Sequence, residues 1–242
     1  MKISIVIPLW RRADIFRLVS SQLEIFIREN KKYNFNIVLV LSPEDNEILF
    51  LKNIIENAKY NYSIVYCSNQ YLGAKMNAGI KGALNSDYIM NLGSDDLISS
   101  KLIELYAPSI ENVDFFFGIN SVYFFDTDRK NSYFFQYNDM NYSIGAGRMI
   151  FTEVAKIIIE KKGWLYSPTL MRGLDTNSAN NIRSYGIIEK IINTGAISYI
   201  CDLKSSENIN SMDKLKTSGS SNYLIHIESD IIFNQFKIIK KL

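Results

Sequence analysis

Residues 3–42 read ISIVIPLWRRADIFRLVSSQLEIFIRENKKYNFNIVLVLS, and the change of period inside this stretch decides the fold class. Ile3 to Leu9 is a continuous apolar run of β-branched character, closed by Pro8. A strand that is apolar on both faces belongs inside a parallel sheet. From residue 14 to 30 the spacing changes, and Phe16, Val19, Leu23, Phe26 and Ile27 fall on one helical stripe. Ile37 to Leu41 is then a second buried strand.

The alternation continues outward. Ser42-Pro43-Glu44-Asp45 ends the second strand and starts a helix with Ile48, Leu51, Ile55 and Ala58 on one face. Tyr62 to Cys67 reads as a strand, 74–84 as a short helix, and Tyr88 to Leu92 as a fourth strand. Strand and helix repeated in this way predict an α/β fold with a doubly wound, mostly parallel sheet and helices on both faces.

The second half changes style. Val113 to Ile119, Val122 to Asp126 and Ser132 to Tyr137 are aromatic-rich strands, with TDRKN as a hairpin loop between the last two. Thr152 is expected to cap a helix that runs through Lys162 and stops at Gly163. Another helix is expected near Asp175, and a late strand over Ala196 to Cys201. Residues 203–222 read as a polar loop. From Ile225, a final helix is expected, with Ile232, Phe236 and Ile239 on one face and Lys237, Lys240 and Lys241 at its end.

Composition limits the function classes. With 242 residues, 47% apolar and 21% charged, the chain can bury a core without disulfides or structural metals. A net charge of +2 gives no global field favouring nucleic acid or membrane. The two cysteines, Cys67 and Cys201, sit in apolar contexts and are expected to be buried thiols. The first apolar run is too short and too quickly followed by charge for a signal peptide, and no run is long enough to span a membrane. The expected location is cytoplasmic, or membrane-peripheral through the basic end FKIIKKL.

In open α/β sheets ligands bind beyond the carboxyl ends of the strands. The fold therefore gathers Pro8-Leu9-Trp10-Arg11-Arg12, Ser42 to Asp45, Ser68 to Lys75 and Gly93 to Asp96 at one edge. The third of these opens a helix, NQYLGAKMNAGIKGA, whose N-terminus suits phosphate and carries Lys75 and Asn77 in its first turns. The fourth, YIMNLGSDD at 88–96, ends a strand in two carboxylates that repel each other unless a cation neutralises them. Mg²⁺ or Mn²⁺ prefers such oxygens and leaves positions for substrate phosphates. Asp and Ser also suit a plain turn or helix cap.

The order ISIVIPLWRRADIFRLVSSQL, NQYLGAKMNAGIKGA, YIMNLGSDDLIS resembles the family 2 glycosyltransferases of GT-A fold over about residues 1–105. The resemblance implies a donor half at 1–105, an acceptor half of the same domain at 106–202, and a polar loop with a C-terminal helix at 203–242. It implies an inverting transferase that moves a sugar from a nucleotide-diphosphate donor, UDP-sugar favoured, to a hydroxyl. The acceptor is left open among glycan, lipid-linked sugar, protein and modified nucleic acid. Donor contacts would come from Pro8, Trp10, Arg11, Ser42, Asn69, Gly73, Lys75, Asn77, Ser94 and Asp95. Asp95 and Asp96 would hold the metal, with His226 as a late third ligand. GWLYSPTLMRGLDTNSANNIRSYG resembles the acceptor-side helix start, which makes Asp175 the general base. GAGRMIF resembles the loop beside the donor sugar or acceptor, with Gly145, Gly147 and Arg148.

The chain departs from the family's pattern at three places. Gly93 replaces the first acid of the DXD motif, Leu174 the first acid of the helix-start pair, and Ser42-Pro43 the acids that usually end the second strand. These departures keep alive a catalytically degenerate GT-A binding module. A nucleotidyltransferase is a further alternative, weakened because no glycine follows the first strand at Leu9 to Arg12.

Overall fold

The computed structural model describes residues 1–137, 142–205, 212–217 and 224–237. The period change is realised: β1 (Lys2–Pro8), α1 (Ala13–Glu29), β2 (Asn34–Leu41), α2 (Ile48–Glu56), β3 (Tyr62–Tyr66), α3 (Leu72–Ala83) and β4 (Tyr88–Asn91) follow in order. β1 pairs in parallel with both β2 and β4, and β2 with β3. Helices bury both faces of this sheet. Phe16, Val19, Leu23 and Phe26 of α1 are buried on one side, and Gly79 of α3 lies so close to Val6 and Val40 that an added Cβ would come within 2.4 and 2.8 Å of them. The glycine lets helix and strand approach closely.

The chain then crosses between two sheets. After β5 (Asp96–Ile98) and α4 (Lys101–Glu111) come β6 (Phe116–Ile119), β7 (Ser121–Asp126), β8 (Ser132–Gln136), β9 (Met149–Phe151), α5 (Thr152–Lys162), α6 (Leu174–Arg183), β10 (Lys190–Ile192), β11 (Ile200–Lys204), α7 (Met212–Thr217), β12 (Leu224–Ile227) and α8 (Ser229–Gln235). The first sheet has seven strands in the order β10-β6-β9-β4-β1-β2-β3, and the second has five in the order β12-β8-β7-β11-β5. β9 runs antiparallel to both neighbours, the break in an otherwise parallel sheet.

Registers align the second sheet into a row. Asp96 pairs with Asp202, Asp202 with Phe124, Phe124 with Tyr133, and Tyr133 with His226. Directly paired residues point to the same face. One face of this sheet thus passes from carboxylates at one edge, through aromatic rings, to a histidine at the other.

Several expectations shift. The late strand begins later and reaches Lys204, so it takes in Asp202 and also Lys204, which was expected in the loop. Leu224 to Ile227 is a strand, not the start of the final helix, because it completes the ladder on β8. Thr152 is the first helical residue and Phe151 the N-cap, with no side-chain cap bond; Gly163 does end that helix in the left-handed region at φ 86°. Both cysteines are free thiols; Cys201 is buried and Cys67 only partly so. No helix among the described residues is long and apolar enough to cross a membrane. Ile239, Lys240 and Lys241, on which the basic C-terminal end was expected, lie outside the described residues.

Candidate functional site

The carboxyl ends of β1 and β4 open onto a cleft of about 360 Å³ that the second sheet closes from the side. Its lining brings together Pro8, Trp10, Asn69, Lys75, Ser94, Asp95, Asp96, Gly145 and Asp175, expected at the site, and Arg12, expected at this edge of the sheet, with Asn91, Tyr166, Asp202 and Lys204, which were not expected.

The turn after β1 is set by two consecutive left-handed residues, Arg11 at φ 54° and Arg12 at φ 56°. Non-glycine residues rarely adopt this conformation, and a pair needs outside support. Asp45, buried, accepts from Arg11 N at 2.6 Å, and Glu47 accepts from Ala13 N at 2.8 Å. Held this way, the Arg12 guanidinium donates to Asp95 Oδ2 at 2.9 Å and Ser94 Oγ at 3.0 Å.

Asp95, Asp96 and Asp202 form the acidic centre, each with a carboxylate oxygen within 4.8 Å of the others. Burial, then Asp202 and Asp95, push the Asp96 carboxyl well above the usual range. Burial also raises Asp202, against the pull of Lys204. Lys204 Nζ sits 2.5 Å from Asp202 Oδ2. Burial opposes its charge, but Asp202 and Asp95 outweigh this and hold its pKa above the ordinary lysine value. Among the described residues Asp202 Oδ1 has no hydrogen-bond partner. Three crowded carboxylates, two of them reluctant to ionise, and one unpartnered oxygen make a donor set that fits a hard divalent cation.

Gly93 explains the missing first acid. Its N–H donates to Asp96 Oδ2 at 2.6 Å, and an added Cβ would lie 2.6 Å from that oxygen and 2.8 Å from Asp95 Oδ1. A side chain there would collide with the acids it precedes, and the third carboxylate comes from β11 instead.

Lys75 enters from the first turn of α3. It is 1% exposed, donates to Leu9 O and to Asn69 Oδ1 at 3.2 Å, and lies over the Trp10 ring at 5.7 Å. Burial lowers its pKa to about 8, with Asp45 opposing. An ammonium with two of three donors used keeps one for the cleft.

Asp175 stands in the first turn of α6 after Gly173, and is solvent-accessible. Gly145 is the floor beneath it; a Cβ at that position would be 2.0 Å from Asp175 Oδ1. Arg148 holds this geometry from below. It is 2% exposed, donates to Asp175 O at 2.7 Å, to Ser143 O at 2.7 Å and to Ser143 Oγ at 2.8 Å, and pairs with the buried Glu189 at 3.0 Å. Its guanidinium is consumed inside the protein. The expectation that Arg148 reaches a ligand is therefore corrected: it positions the loop and the helix that carry Gly145 and Asp175.

Other expected contacts are corrected in the same way. Arg11 is exposed, does not line the cleft and stacks on Trp10 at 5.2 Å. Ser42 is fully buried and does not line the cleft. Gly73 packs against the Ser167 carbonyl, only 1.9 Å from where its Cβ would be. Asn77 pins the 165–166 backbone, accepting from Leu165 N and Tyr166 N at 3.0 Å each and donating to Tyr166 O at 2.6 Å. Gly147 forms a turn at φ 76° and donates to Asn91 O at 2.7 Å. His226 is exposed at the far end of the row and packs edge-on against Tyr133 at 5.4 Å. Four strand spacings of ~4.8 Å separate it from Asp96, too far for a shared ligand shell.

Asp202 and Lys204 were missed because the expected strand stopped at Cys201. The available signal was an acid and a base at i and i+2 directly after an apolar run, a spacing that puts both on one strand face.

No family model matches the sequence, and no curated protein matches it. Solved structures do resemble the fold. S. aureus TarS 1–349 in complex with UDP-GlcNAc aligns with TM-score 0.60 and 14% identity, over 86% of this chain and 60% of that one. The mannosyltransferase PcManGT from Pyrobaculum calidifontis, in complex with GDP-Man and Mn2+, aligns with TM-score 0.57 and 12% identity, over 91% and 59%. The 4-diphosphocytidyl-2C-methyl-D-erythritol synthase from Anaerococcus prevotii aligns with TM-score 0.52 and 16% identity, over 98% and 95%. This chain thus spans about three-fifths of the two transferase chains. At these identities the likeness shows the fold, a mixed α/β architecture of GT-A type.

Proposed function

We propose that this protein transfers a sugar from a nucleotide-diphosphate donor, UDP-sugar favoured, to a hydroxyl acceptor with inversion, as a family 2-like glycosyltransferase. The observation that carries the reading is one cleft lined by Asp95, Asp96 and Asp202, by Lys75 and by Asp175. The fold shared with TarS and PcManGT supports it.

In this reading residues 1–105 hold the donor and 106–202 the acceptor, with β11 lending Asp202 and Lys204 to the junction. Asp95, Asp96 and Asp202 would hold Mn²⁺ or Mg²⁺, which supplies charge stabilisation of the leaving diphosphate when bound. Trp10, Asn69 and Ser94 line the donor side, and Lys75 offers its remaining N–H to diphosphate oxygens. Arg12 keeps Asp95 oriented. Asp175 takes the proton from the acceptor hydroxyl as that oxygen attacks the anomeric carbon from the face opposite the departing phosphate. Gly145 leaves room for the sugar beside it.

The synthase likeness favours one second reading, nucleotidyl transfer. Against it stands the turn after β1, which has no glycine and is locked by Asp45 and Glu47. Calorimetry with UDP, CTP and UDP-sugars, each with and without Mn²⁺, separates the readings. Metal-dependent UDP binding that Asp95→Ala weakens supports the transferase; CTP binding without UDP binding supports the nucleotidyl reading. Absence of binding to every nucleotide leaves a GT-A-fold binding module.

A further inference from the structure

A second cleft of about 270 Å³ adjoins the first across Gly145 and Ala146 and shares Asp96, Asp175, Asp202 and Lys204 with it. Its far wall belongs to the five-stranded sheet: Val122, Phe124, Phe135, Tyr137 and Leu224, with Ile144 above them. The wall is therefore divided, ionic at the junction and apolar or aromatic beyond it. The Phe124 and Phe135 rings lie 6.3 Å apart and inclined at 58°, and Tyr137 stands edge-on to Phe135 at 5.0 Å. They form an angled corner rather than a flat shelf.

We propose that this second cleft is the acceptor subsite of the transfer proposed above, and that it takes a pyranose ring. One C–H face of the ring packs into the corner of Phe124, Phe135 and Tyr137, while its hydroxyls face Asp175, Asp202 and Lys204. The inference rests on the glycosyl-transfer reading for the word acceptor, but its chemistry comes from the cleft itself. An alkyl chain would set hydrocarbon against Asp175 and the Asp202–Lys204 pair and satisfy none of their remaining hydrogen-bonding capacity, which is costly. An acyclic polyol has no apolar face for the aromatic corner. A planar base lies on one ring face and leaves the second, inclined ring uncovered. A pyranose presents both surfaces, and the volume lies just below the ~300 Å³ where drug-sized ligands begin. The ring's hydroxyl then meets Asp175 from the side away from Lys75.

Saturation-transfer NMR on the full chain, with UDP and Mn²⁺ present, tests this. The probes are methyl glycosides of glucose, galactose, mannose and N-acetylglucosamine, against ribitol, octanol and uridine. The expected result is saturation concentrated on the C–H protons of one pyranoside face. Tyr137→Ala, at a rim position that is 40% exposed, should lower that signal roughly tenfold while UDP binding stays unchanged. Phe135→Leu should act in the same direction as a second variant. Equal saturation of ribitol, preference for octanol or uridine, or a pyranoside signal that survives both variants overturns the assignment. A protein that binds pyranosides in this way but no nucleotide would refute the transferase reading and keep the pyranose subsite.

Discussion

The two sheets are built on opposite rules. The seven-stranded sheet is covered by helices on both faces, and its interior strand β1 is buried from Ile3 to Ile7. The five-stranded sheet devotes one face to the clefts, and its edge strand β5 is three residues long and begins with an acid. The first sheet specifies where strand ends lie; the second supplies carboxylates, a lysine and rings at those ends. Stability and chemistry are thus largely separable, and mutations should reveal the division.

The largest expected effect is on the chemical side. Asp175→Asn should lower transfer by ~10²–10⁴-fold, the usual contribution of a positioned base, while UDP binding measured by calorimetry stays intact. Normal turnover by this variant would remove Asp175 from the mechanism. Next comes Arg148→Met, at the joint between the sheets. It removes the closer of two arginines paired with the buried Glu189, leaving Arg183 at 3.4 Å, and should cost roughly 3 kcal/mol in urea unfolding. A stable variant with weakened acceptor use would mean that Arg148 serves the site rather than the frame.

Lys75 sharpens the boundary through pH. Its folded pKa of about 8 lies below the ordinary 10.5, so between those values the unfolded chain binds more protons. Stability should therefore rise with pH across that window, by roughly 3 kcal/mol relative to Lys75→Met. A flat difference in denaturation midpoints between the two proteins would show that burial does not penalise this ammonium. The smallest effect belongs to His226→Ala. It should change stability by less than ~0.5 kcal/mol and leave the Mn²⁺ dependence of UDP binding untouched. Loss of metal affinity in this variant would break the separation drawn along the row.

The same division decides how much could be read beforehand. The parallel strands β1 to β4 were legible because they are largely apolar runs, and the helices between them carry clear stripes. Asp95, Lys75 and Asp175 were legible as polar residues at element ends, and the structure lines one cleft with them. β5, β9 and β10 have only three residues each, too few for any period to show. Asp202 and Lys204 were hidden because charge inside a strand reads as loop, and β12 because Leu224 to Ile227 alternates too briefly to oppose a helical reading. Arg148 and Asn77 looked like ligand contacts; their partners are distant in sequence, so only the fold reveals that their hydrogen bonds are already spoken for.

Asp96 and Asp202 face each other across one strand pair, yet they are 106 residues apart along the chain, and Asp96 is made first. A nascent chain emerging from the ribosome can assemble β1 to β4 while lacking the centre altogether. On the proposed reading, cation capture has to wait for β11, and a truncation just before β11 should yield a protein that retains the parallel strands but does not bind manganese.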